Sequence, residues 1–184
     1  MTLIGSLGAS VVVGHIGDSR AYLFRGGKLH QLTRDHTWVQ TMVDLGLLSA
    51  EEAARHPKLN VLIRSLGGQA PNVEGDFQRV WLAHGDQLLL CTDGLTNMVD
   101  DSAIASLLGS AATSNEACQA LVAAALEKGG IAALPYFPCF GVSASSCFTK
   151  WTTSRYRAGE QRSTKRLVRW SAVTVKPVRS PAPR

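Results

Sequence analysis

Two short blocks hold the acidic residues best placed to do chemistry. They are Gly17-Asp18-Ser19-Arg20 and Thr92-Asp93-Gly94-Leu95-Thr96-Asn97. Each Asp follows an apolar run that reads as a buried strand, so a stiff element would hold its carboxylate. Gly94 lets the chain turn away and leaves room beside Asp93 for a ligand or a metal. The same residues also read as plain turn caps, because Asp readily bonds its own backbone in turns. Asp-Gly alone does not separate the two readings.

The elements that must position these blocks are legible around them. Residues 10–16 (SVVVGHI) form a β-branched run that predicts a buried strand ending just before Asp18. Residues 21–25 and 28–32 flank Gly26-Gly27, a pair suited to the positive φ angles of a two-residue hairpin. Helical spacing follows over 38–48, and Ser49 to Glu52 matches a capping box before a short helix that Pro57 should end. Residues 75–82 alternate as a strand, His84-Gly85-Asp86 reads as a turn, and 87–92 (QLLLCT) reads as a fully buried strand leading into Asp93. Two helices should close this part. One covers 102–108 with Asp101 as its cap; the other covers 115–128 behind a Thr113-to-Glu116 capping box, with Gly129 after its end. Strands in a block with helices to cover them predict an α+β layered fold.

At 184 residues, with 45% hydrophobic and 18% charged residues, the chain has enough apolar matter for one core. That balance excludes a disordered chain or a low-complexity fibre. No apolar run reaches the roughly 20 residues of a membrane span, and no basic-then-apolar opening suggests a secretory signal. A cytoplasmic location and no membrane partner are therefore expected. Cys91, Cys118, Cys139 and Cys147 show no metal-ligand spacing and read as reduced thiols. The net charge of +5 is unevenly divided. Residues 1–130 carry 9 basic and 13 acidic side chains, whereas 131–184 carry 10 basic ones and a single acid, Glu160.

Three segments, VGHIGDSRAYLFRGGKLHQLTRDHT, NVLIRSLGG and GDQLLLCTDGLTNMVDD, resemble the bacterial branch of the metal-dependent type 2C Ser/Thr protein phosphatases over about residues 4–130. The resemblance implies an α-β-β-α sandwich, of which this chain would hold a part. It also implies two Mn²⁺ or Mg²⁺ ions held by carboxylates and waters, with a metal-bridging water attacking phosphoserine or phosphothreonine. Such ions take oxygen ligands, and a metal pair both activates water and neutralises phosphoryl charge. Asp93 matches a metal-ligating Asp of the family. Asp18 matches an Asp associated with a third, looser ion, and residues 38–60 fall where the family carries a mobile flap. Phosphorylated protein substrates of a Ser/Thr kinase are the implied partners.

The resemblance is incomplete. Residues 1–17 contain no acid and residues 1–19 no Arg, so the family's upstream carboxylates and phosphate-holding Arg have no counterpart. After Glu127-Lys128-Gly129-Gly130 the family's Asp-Asn block is replaced by Ile131-Ala132-Ala133-Leu134, and Asn97 stands where many relatives have Asp. A partial domain that is inactive on its own is the expectation, with no catalytic side chain assigned. The competing reading is a non-catalytic phosphatase-like binding module. Its basic tail would bind nucleic acid or an acidic surface, although nucleic acid is not the expected partner. Residues 131–184 read as a shifted reading frame, a disordered extension or that basic binding tail, with the first favoured by the abrupt loss of family pattern. His15 is expected to pack within a sheet, His30, His56 and His84 to lie at the surface, and Arg64 to brace the flap or form an ion pair. His36 belongs to a recurring block without an assigned role.

Overall fold

The computed structural model describes residues 1–67, 74–129 and 139–140. Among the described residues, seven strands form two antiparallel sheets. In the first, β1 (Thr2–Leu7), β2 (Ser10–His15) and β5 (Asp76–Trp81) lie in the order β1-β2-β5. In the second, β3 (Arg20–Arg25), β4 (Lys28–Gln31), β6 (Gln87–Cys91) and β7 (Cys139–Phe140) lie in the order β4-β3-β6-β7. Helices α1 (Trp38–Asp44) and α2 (Ala50–Ala54) leave the body between β4 and β5; α3 (Asp93–Thr96), α4 (Asp101–Ser110) and α5 (Ser114–Glu127) follow β6.

Alternation along the strands builds the layers. Val11 and Val13 of β2 meet Ala21 and Leu23 of β3 and Leu88 and Leu90 of β6 between the sheets. The opposite faces of β3 and β6 present Tyr22, Phe24, Leu89 and Cys91 to Leu95, Val99, Ile104, Leu108 and Leu121 of the helical layer. β6 is therefore buried on both faces, as its unbroken apolar run requires. The outer face of the first sheet is different: Leu3, Leu7, Phe77 and Trp81 are all more than half exposed, and no described element covers them. The described residues form a β-β-α stack, three of the four layers that the resemblance implies.

Local chemistry matches most of the expected elements. Gly26 and Gly27 adopt φ of 56° and 76°, the left-handed pair of a two-residue hairpin. Ser49 and Glu52 form the full capping box of α2. Several expectations are corrected. The strand Thr2–Leu7 had no distinct signal, and it is defined by its pairing with β2. Helix α1 stops at Asp44, because Gly46 turns left-handed just beyond it and Leu45 and Leu47 point outward. The cap of α4 is Asp100, which accepts the Ala103 N–H at 2.9 Å, leaving Asp101 in the first turn. At α5, Thr113 caps Glu116, while the Glu116 carboxylate reaches the Ala112 N–H and not that of Thr113. One edge of β6 pairs with the two-residue strand β7, opposite Leu88 and Leu89. The remaining expectations for residues 131–184 lie outside the described residues.

Candidate metal site

Strand register brings the two acidic blocks together. β3 and β6 run antiparallel, with Arg20 opposite Cys91 at one end of their ladder. Asp18 precedes Arg20 by two residues and Asp93 follows Cys91 by two, so both carboxylates emerge from the same end. Asp18 is half-buried, and its carboxyl is pushed above the ordinary value, first by burial and then by the Asp93 charge. Two anions are thus held together in a partly desolvated place, and a divalent cation would relieve both penalties. That hard-oxygen pair fits Mn²⁺ or Mg²⁺. Among the described residues, no group of three or more His, Cys, Asp or Glu side chains is arranged to hold a metal.

The loop carrying Asp18 is held from several sides. Gly17 has φ of 104°, a conformation that a side chain would disfavour. The Thr2 hydroxyl donates to the Ser19 carbonyl at 2.6 Å. Arg20 grips Asp35, with Nε 2.9 and 3.0 Å from its two carboxylate oxygens and Nη2 2.7 Å from Oδ2. Its Nη1 donates to the Tyr22 hydroxyl at 3.1 Å, which donates in turn to Asp101 at 3.2 Å. Burial alone would lower the Arg20 pKa, but the hydrogen bonds and charges of Asp35 and Tyr22 together outweigh it and raise it. Asp93 opens the one-turn helix α3, and Asn97 at its end donates to Asn60 at 3.3 Å.

The histidines divide as their surroundings dictate. His15 is buried between Thr2 and Arg34, and burial followed by the neighbouring His36 lowers its pKa. His30 and His84 are exposed, whereas His56 is half-buried with its ring 5.1 Å from that of Trp38. Arg64 pairs with Asp76 at 3.6 Å. Cys91 and Cys118 are buried, and burial pushes the Cys91 thiol up to about 12. A pocket of about 220 Å³ lined by His15, Arg34, Asp76 and Phe77 includes neither Asp18 nor Asp93. The Arg20–Asp35 clasp escaped the sequence reading. Its only signal was an unassigned Asp in the recurring Asp35-His36-Thr37 block.

Comparison with known proteins decides the family. The profile of the family described as Protein phosphatase 2C matches residues 2–129. The chain belongs to the protein phosphatase 2C family. Protein phosphatase PhpP of Streptococcus pneumoniae is 42% identical over 120 residues, covering 65% of this chain and 48% of PhpP. The S. agalactiae serine/threonine phosphatase structure superposes with a TM-score of 0.68 at 38% identity, covering 71% of this chain and 53% of that one. A structure of the PstP catalytic domain in complex with two manganese ions gives a TM-score of 0.63 at 38% identity, with the same coverages. The chain spans about half the length of the curated relatives it matches. The family is metal-dependent, and its named bacterial members are Ser/Thr phosphatases. No described helix is long and apolar enough to cross a membrane.

Proposed function

We propose that residues 2–129 supply one carboxylate wall of a protein phosphatase 2C metal site, acting on phosphoserine and phosphothreonine in proteins. The observation that carries this is the convergence of Asp18 and Asp93 at one end of the β3–β6 ladder, with the charge of one raising the pKa of the other. These two residues would hold a Mn²⁺ or Mg²⁺ ion. When bound, such an ion polarises a phosphoryl oxygen and lowers the pKa of coordinated water. The chain's own contribution is positional. β3 and β6 fix the spacing of the carboxylates, Gly17 aims Asp18, and α3 fixes Asp93.

Two carboxylates are too few to compensate two divalent ions, so this chain alone is expected to bind one ion weakly and to lack turnover. Its substrate class would be phosphoproteins made by a Ser/Thr kinase, a reading supported by relatives named as Ser/Thr phosphatases. Hydrolysis of p-nitrophenyl phosphate with Mn²⁺, using Asp93→Ala as the control, tests the reading. Rates equal to the control are expected. A Mn²⁺-dependent rate abolished by Asp93→Ala would show that this chain supplies further ligands and is itself an active phosphatase.

A further inference from the structure

His36 is buried, and four of its polar groups are committed to three parts of the fold. Its Nδ1 accepts the Gly17 N–H at 3.2 Å, and its own backbone N–H donates to the Gly17 carbonyl at 2.8 Å. Both polar groups of Gly17 are therefore engaged by one residue. With Nδ1 accepting, the ring proton sits on Nε2 and is donated to Asp76 Oδ2 at 3.0 Å. The His36 carbonyl accepts the Ile63 N–H at 2.9 Å. Beside it, Thr37 bridges Leu62 and caps α1, and Trp38 N–H reaches the Val61 carbonyl at 2.8 Å. Both roots of the α1–α2 excursion thus meet at His36.

We propose that His36, oriented by Asp76, is a positioning residue that sets Asp18 against Asp93 and ties the α1–α2 excursion to that carboxylate. The inference rests on the metal-site reading above. Gly17 lies next to Asp18 and has no side chain to fix its torsions, so these hydrogen bonds define where the next residue points. The outer end of the relay is not a packing element. Asp76 is about half exposed and shares its charge with Arg64, so its service to the fold is to hold the His36 tautomer. The hydrogen bond from His36 also lowers the Asp76 pKa.

Four full-length variants separate positioning from packing, read by Gly17 amide hydrogen exchange and by Mn²⁺ affinity from electron paramagnetic resonance. His36→Leu keeps bulk but offers no acceptor. It should speed Gly17 exchange and weaken Mn²⁺ by ~10-fold, the usual scale for a lost outer-shell partner. His36→Asn places an amide oxygen near the Nδ1 position and should recover most of both losses, whereas His36→Gln reaches only the Nε2 position and should not. Asp76→Asn should weaken Mn²⁺ a few-fold with only a small fall in Tm, because Asp76 is half exposed, and it remains informative should His36→Leu fail to fold. Equal behaviour of the Asn and Gln variants, or unchanged Gly17 exchange in all four, would overturn the proposal. If the unaltered chain bound no Mn²⁺, the metal-site reading would fail, while Gly17 exchange would still decide whether His36 fixes the loop.

Discussion

Replacing Asp35 by Asn should destabilise the fold far more than the same change at Asp44, although both carboxylates pair with Arg. Asp35 takes three short contacts from Arg20, and the two side chains are 11% and 25% exposed. Asp44 pairs with Arg34, where the exposures are 31% and 60%. Breaking a buried pair typically costs 3–5 kcal/mol, because an uncompensated charge stays behind. Arg20 is a quarter exposed and Asn can still accept one hydrogen bond, so about 2 kcal/mol is a fair expectation between the buried and exposed limits. For a folded part of this size that corresponds to a Tm lowered by about 8 °C. The exposed Asp44→Asn should cost at most ~0.5 kcal/mol. Urea denaturation of both variants, with an Arg20→Met/Asp35→Asn double mutant to isolate the coupling, measures the difference. Equal losses at the two positions would refute the argument that burial sets the worth of this clasp.

Other expectations follow from the same structure. Asp18 has a raised pKa in the fold, so its contribution is fully present below the ordinary value of 3.8 and is lost as pH rises through the raised value. Asp18→Asn should therefore raise the neutral-pH Tm of metal-free protein and flatten this part of its pH dependence; a lower Tm would reverse the sign. Asp86 behaves oppositely, because the Arg25 hydrogen bonds lower its pKa, and its contribution should fade as pH falls below 3.8. Leu121→Ala, at a 1% exposed position on α5, should cost ~3 kcal/mol in denaturant unfolding. Phe77→Ser, at a 77% exposed position on the sheet face that no described element covers, should leave Tm nearly unchanged while reducing hydrophobic-dye binding and self-association.

What the sequence revealed was local. Gly26-Gly27, the Ser49–Glu52 box and the apolar run into Cys91 each carry their own geometry in adjacent residues, and the fold uses them as read. β1 was hidden because Thr2–Leu7 becomes a strand through partners in β2, not through a strong pattern of its own. The Arg20–Asp35 and Gly17–His36 contacts span 15 and 19 residues, separations that only the folded β3–β4 hairpin closes. The approach of Asp18 to Asp93 was legible only through the family resemblance, since antiparallel register alone sets it.

The central claim is that Asp18 and Asp93 together hold one divalent ion. Titrating isotope-labelled protein with Mn²⁺ and following paramagnetic broadening residue by residue tests it directly. The account predicts broadening centred on both residues at once, with an affinity on the order of millimolar for so sparse an oxygen site, and its loss in Asp93→Ala. Broadening that surrounds only one of the two residues, or that survives Asp93→Ala unchanged, would contradict it.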